Sequence, residues 1–183
     1  MKILIFTEGT ILTPKISEDL SQEEVVEQSK IEGIQREEAV LQFESKNDVP
    51  VKPESVHDYS NYIPVSNVVK KLTGWKNQGT TICYLSSRRI KPEIEAIKSV
   101  LTKYKFPDFD NLYFRQQNED YKNVAERIMP DILIEDDCES IGGEVEMTYP
   151  HIKSELKDRI KSVVVKEFSG IDSLPDNVND LIG

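Results

Sequence analysis

Little in this chain could crosslink it or carry it through a membrane. Its 183 residues include only two cysteines, Cys83 and Cys138, so no disulfide framework is available and a cytoplasmic location is the default expectation. No apolar run approaches the ~18 residues of a membrane-spanning helix. The amino terminus has neither the basic region nor the cleavage site of a signal peptide, because Met1 and Lys2 lead straight into an apolar stretch. Internal repeats and low-complexity segments are lacking too. Positive charge is in deficit: the formal net charge is −10, which disfavours nucleic acid or an anionic membrane surface as partner. A small anionic ligand stays compatible, since a local basic pocket outweighs distant, screened surface charge. What remains is 38% apolar and 31% charged, the composition of a globular chain that buries one core, with room for a small insertion.

The pattern begins at the amino terminus. Ile3, Leu4, Ile5 and Phe6 form a short apolar run broken abruptly by Thr7, Glu8, Gly9 and Thr10, which reads as a strand buried on both faces and ending in a loop. Further strands are predicted at 80–85, 112–114, 130–134 and 162–166. Between them, helical spacing places Val68, Val69, Leu72 and Trp75 on one stripe and Ile94, Ile97, Val100 and Leu101 on another. Ser66 is expected to cap the first of these helices, and a further helix begins near 119. Strand–helix alternation predicts an α/β fold: a Rossmann-like parallel sheet of about five strands with helices on both faces. Trp75 and Cys83 are expected in the core.

The segment 14–61 differs in composition. It is rich in Glu, Gln, Lys and Ser, and Ser21 with Glu24 fits a capping box that opens a helix running to about 43. Two readings stay open, a solvated helical excursion and a lid over the site. The expected organisation is thus a core of 1–13 and 62–183 with a helical, cap-like insertion at 14–61.

In open α/β sheets, ligands bind beyond the carboxyl ends of the strands. Polar residues stand at those ends: Glu8 and Thr10 after the first, Ser86, Ser87, Arg88 and Arg89 after the second, Arg115 after the third. Glu135, Asp136 and Asp137 close the fourth. Three adjacent carboxylates repel one another unless a cation sits among them, and hard oxygen ligands suit Mg²⁺. Lys122, early in its helix, opposes the helix dipole unless it reaches an anion. His57, with Asp58 beside it, is a weaker candidate for ligand contact.

These positions, in this order, resemble the motifs of the haloacid dehalogenase-like hydrolases. That family's first motif is an apolar strand followed by Asp-x-Asp-Gly-Thr, and Gly9 and Thr10 fix the register. Glu8 then stands at the general acid/base and Phe6 at the aspartate nucleophile. The resemblance implies phosphate binding by Thr10, Ser86, Ser87, Arg88 and Lys122, with Lys122 and Glu8 serving catalysis. It implies Mg²⁺ on Glu8, Asp136 and Asp137, with Glu135 less central, and possible substrate contacts from His57, Arg89 and Arg115. The implied partner is a small phosphorylated molecule, with neither nucleic acid nor membrane. Three readings follow: a phosphatase-like or nucleotidase-like hydrolase in which Glu8 activates water without a covalent intermediate, a pseudoenzyme that binds metal or a phosphorylated ligand, or a purely structural protein.

Overall fold

The computed structural model describes residues 1–32 and 53–182. Five parallel strands form the main sheet: β1 (Lys2–Phe6), β4 (Thr81–Leu85), β5 (Leu112–Tyr113), β6 (Ile132–Asp136) and β7 (Lys161–Val165), in the order β5-β4-β1-β6-β7. A two-stranded antiparallel ribbon, β2 (Leu12–Thr13) with β3 (Ile63–Pro64), stands beyond the end of β1. In the chain, Pro14 directly follows β2 and Tyr62 directly precedes β3. Among the described residues no helix is long and apolar enough to cross a membrane.

The strand pleat explains why β1 is apolar without alternation. Ile3 and Ile5 face one core with Ile82, Tyr84, Ile132 and Ile134. Leu4 and Phe6 face the other with Cys83, Leu85 and Leu133. Successive side chains of a strand alternate in direction, and both faces here are covered. On the first face lie α2 (Val68–Asn77) and α3 (Lys91–Lys103), through Val68, Leu72, Trp75, Ile97 and Leu101. On the second lies α4 (Tyr121–Ile128), through Tyr121, Val124, Ala125 and Ile128. Right-handed crossovers put helices on both faces of such a sheet. Trp75 and Cys83 are core residues as expected, and the Trp75 indole N–H donates to the Pro175 carbonyl at 3.0 Å, tying down the carboxyl-terminal tail.

Several local expectations change. The capping box forms, with Ser21 N–H donating to Glu24 Oε2 at 2.8 Å and Glu24 N–H to Ser21 Oγ at 3.3 Å, and opens α1 (Gln22–Glu32). The rest of the helix expected to 43 lies outside the described residues. Ser66 does not cap α2. It takes a left-handed φ of 48°, and Asn67 becomes the cap, its backbone and side-chain amides donating to Asp172 Oδ2 at 3.3 and 2.9 Å. The fourth strand runs two residues further than expected, so Glu135 and Asp136 belong to β6 and both are buried.

Candidate active site

A cavity of about 90 Å³ opens at the carboxyl edge of the sheet. Phe6, Glu8 and Gly9 line it from the end of β1, Ser87 and Arg88 from beyond β4, Glu135 and Asp136 from β6, and Glu167 and Phe168 from beyond β7. Tyr121 enters from the first turn of α4, and Tyr59 and Tyr62 from the segment returning to β3. Gly9 has φ +84°, and a Cβ there would stand 2.9 Å from Asp136 Oδ2. The turn after β1 therefore needs glycine both for its backbone and for the close approach of that carboxylate.

On one side of the cavity the Glu8 carboxylate sits in a nest of donors. Ser86 Oγ donates to Oε1 at 2.7 Å, Ser87 N–H to Oε2 at 3.1 Å, and the Thr7 hydroxyl to the same oxygen. Arg88 Nε lies 3.5 Å from Oε1. Arg88 is itself pinned: Nε and Nη2 donate to Ser87 Oγ at 3.1 and 2.8 Å, Nη1 donates to the Tyr59 hydroxyl, and the guanidinium lies 4.6 Å over the Tyr59 ring. Burial opposes its charge, but Tyr59 and Glu8 together hold its pKa above the ordinary value, so it stays a cation. The floor between the two sides is apolar. Phe6 packs edge-on against Tyr121 with ring centroids 5.1 Å apart.

The other side is acidic. Asp136 accepts from Thr10 Oγ1 at 2.7 Å and from Cys138 N–H at 3.1 Å, and burial raises its pKa. Glu135 leaves the strand on the opposite face and accepts from Thr148 and Tyr149 N–H at 2.6 and 2.9 Å, its pKa raised by burial as well. Glu167 accepts from Ser140 Oγ and N–H, both at 2.7 Å. Burial first, and then the charge of Asp136, push its pKa up to about 7 from 4.5.

That shift fixes a pH dependence. The folded state keeps the Glu167 proton up to about pH 7, whereas the unfolded chain releases it near 4.5. Between these values the native state binds more protons, so the contribution to stability is complete below 4.5 and is lost as pH rises through 7. With EDTA present, the melting temperature is expected to fall between pH 5 and 7.5, reflecting on the order of 2–3 kcal/mol. Glu167→Gln is expected to flatten this slope, leaving the part due to Asp136 and Glu135. A wild-type slope of zero or of opposite sign would contradict the assignment.

No protein-family model matches the chain, and no curated protein matches it. Solved structures do. The class C acid phosphatase from Bacillus anthracis with tungstate bound matches with a TM-score of 0.52 and 11% identity, over 92% of this chain and 68% of that one. A second structure of the class C acid phosphatase from the same organism matches with a TM-score of 0.53 and 12% identity, over 92% and 67% of the two chains. The chain shares its α/β fold with these phosphatases. At this identity the likeness covers the fold alone, and the roles of side chains have to come from this chain's own geometry.

That geometry brings together some of the expected residues and separates others. Glu8, Ser86, Ser87 and Arg88 converge. Thr10 does not face the cavity, being buried with its hydroxyl on Asp136. Lys122 is half-buried and lies outside the cavity lining, where Tyr121 takes the place expected of it. His57 is exposed, 3.5 Å from the Tyr59 hydroxyl, and Tyr59 rather than His57 reaches the cavity. Arg89 turns away, donating to the Gln116 carbonyl at 3.3 Å. Arg115 is buried behind the site, its guanidinium 4.0 Å over the Tyr121 ring.

The Mg²⁺ ligand set implied by the resemblance does not assemble either. Glu8 is turned onto Ser86, Ser87 and Arg88, Asp136 onto Thr10 and Cys138, and Asp137 Oδ1 accepts from Glu167 N–H at 3.1 Å. Among the described residues no group of three or more His, Cys, Asp or Glu side chains is placed to hold a metal ion. Sequence reasoning missed Glu167. It directly follows the expected fifth strand, so the strand-end rule applied to the other strands would have found it.

Proposed function

We propose that this chain is a binding protein built on a phosphatase fold, taking a small phosphorylated molecule into the cavity without hydrolysing it. The observation that carries the reading is Phe6. It stands at the carboxyl end of the central strand, lines the cavity and packs against Tyr121, where the resemblance implies an attacking carboxylate. A phenyl ring offers no electron pair to phosphorus. The rings of Phe6, Tyr59, Tyr62, Tyr121 and Phe168 give an organic ligand apolar walls, and convergent polar groups at one end give it orientation.

The test is a panel of nucleotides, sugar phosphates and a generic aryl phosphate, each read for turnover with and without Mg²⁺ and for its effect on the melting temperature. Stabilisation by some members with no turnover is expected. Stabilisation by none of them would overturn the binding reading.

One observation favours a second reading, hydrolysis without a covalent intermediate. Glu167 lines the same cavity and titrates at about 7, where a general acid or base is most effective. Turnover that disappears in both Glu8→Gln and Glu167→Gln would replace the first reading with this one.

A further inference from the structure

Phosphate-class anions are recognised by hydroxyls, backbone N–H groups and guanidinium groups brought to one point. Ser86 Oγ and Ser87 N–H donate to one point here, at 2.7 and 3.1 Å, the Arg88 guanidinium stands beside it as an ion-pair partner with Nε at 3.5 Å, and the Glu8 carboxylate occupies that point. We infer that Glu8 is an internal ligand of an oxyanion slot formed by Ser86, Ser87 and Arg88, and that a phosphoryl group enters the slot only by displacing it. The inference rests on the reading that the cavity takes a phosphorylated molecule, and adds what controls its entry.

Three features support it. First, the slot is built in advance. Arg88 cannot swing freely, because Ser87 Oγ holds it through two hydrogen bonds and Tyr59 holds Nη1. Its own backbone N–H donates to Ser86 Oγ at 3.1 Å, which leaves the hydroxyl proton directed at the anion. Second, Glu8 has the length to fill the slot. The aspartate that the family resemblance implies at this position is one methylene shorter and would reach correspondingly less far. Third, the competitor belongs to the same chain. An internal group competes at an effective concentration set by its tether, in the millimolar range even for flexible linkers, and here the tether is a short turn closed by Leu12 N–H and Ile11 N–H on the Thr7 carbonyl, at 2.9 and 3.0 Å. An external ligand that binds only the vacated slot has its affinity reduced by the fraction of molecules in which Glu8 has left.

The experiment is calorimetric titration of inorganic phosphate and of tungstate into wild type, Glu8→Ala, Glu8→Gln and the double variant Glu8→Ala/Arg88→Met. Glu8→Ala is expected to bind at least tenfold more tightly than wild type. Glu8→Gln, which removes the charge but keeps the bulk, is expected to give a smaller gain and still reports if the alanine variant does not fold. The double variant is expected to lose the gain, which locates the anion at Arg88 rather than elsewhere. Equal affinity in wild type and both single variants would overturn the inference, as would a gain that survives in the double variant. The outcome separates from that of the binding reading. Wild type that binds phosphorylated molecules, with no gain in the variants, sinks the inference alone. Variants that gain inorganic phosphate, while wild type binds no phosphorylated molecule, sink the reading alone.

Discussion

Phe6→Asp is expected to destabilise the protein by about 4 kcal/mol and to create no phosphatase. The loss has two sources. Phe6 is 9% exposed and lies in the core on the α4 face with Leu4, Leu85, Tyr121 and Leu133, and deleting such a ring costs about 3–5 kcal/mol. The edge-on contact with Tyr121 adds about 0.5–1.5 kcal/mol specific to an aromatic pair. The incoming carboxyl group meets apolar neighbours and is held neutral by burial, which is the wrong state for attack. Placing a carboxyl group at position 6 also leaves the rest of the site unchanged. Lys122 stays outside the cavity, and the carboxylates of Glu8, Asp136 and Asp137 stay turned onto other partners. Urea denaturation and an aryl phosphate assay check both halves. Phe6→Leu serves as control and is expected to lose about 1 kcal/mol, in line with apolar substitutions of reduced volume. A well-folded Phe6→Asp variant with Mg²⁺-dependent turnover would show that only the nucleophile had been lost.

Arg88→Met is expected to cost about 2–3 kcal/mol, since removing one partner of a buried ion pair leaves the other charge uncompensated. The figure sits below the full range for buried pairs because the side chains of Arg88 and Glu8 remain 19% and 10% exposed. Three further donors, Ser86 Oγ, Ser87 N–H and the Thr7 hydroxyl, also still reach the Glu8 carboxylate. The substitution releases the Tyr59 hydroxyl and Ser87 Oγ as well. A double-mutant cycle with Glu8→Gln isolates the pair: the Arg88 change is expected to cost at least 1 kcal/mol less once Glu8 is neutral. Arg88→Lys keeps the charge without the planar fork, so it is expected to recover only part of the loss. Additive effects of the two changes in urea denaturation would contradict the coupling.

Much of this fold was legible because strand and loop chemistry are local. The runs Ile3 to Phe6 and Ile82 to Leu85 are apolar without alternation, which places them at the sheet's centre, and the polar residues after them mark the carboxyl edge. Ser86, Ser87 and Arg88 follow from that rule directly. What was not legible turns on phase. α4 opens with a capping box in which Asp120 N–H donates to Asn123 Oδ1 at 2.9 Å. The box sets the helix so that Tyr121 points into the core, and the next residue, Lys122, is rotated about 100° around the axis. Glu135 and Asp136 read as adjacent carboxylates just past the end of the fourth strand, but β6 continues through both, and the pleat sends them to opposite faces. Two partners of Glu8, Ser86 and Ser87, could not be paired with it from the sequence, since they follow β4, 78 and 79 residues away in the chain.

The measurement that bears most directly on the central claim is a phosphorus NMR time course with the best stabilising ligand of the panel, at protein concentrations near that of the ligand. A ligand resonance shifted or broadened by the protein, with no inorganic phosphate appearing over hours, is the expected result and identifies a binding site without turnover. Growth of the inorganic phosphate signal at a rate proportional to protein, and its loss on Glu8→Gln, would contradict it and make the chain an enzyme that dispenses with the nucleophile.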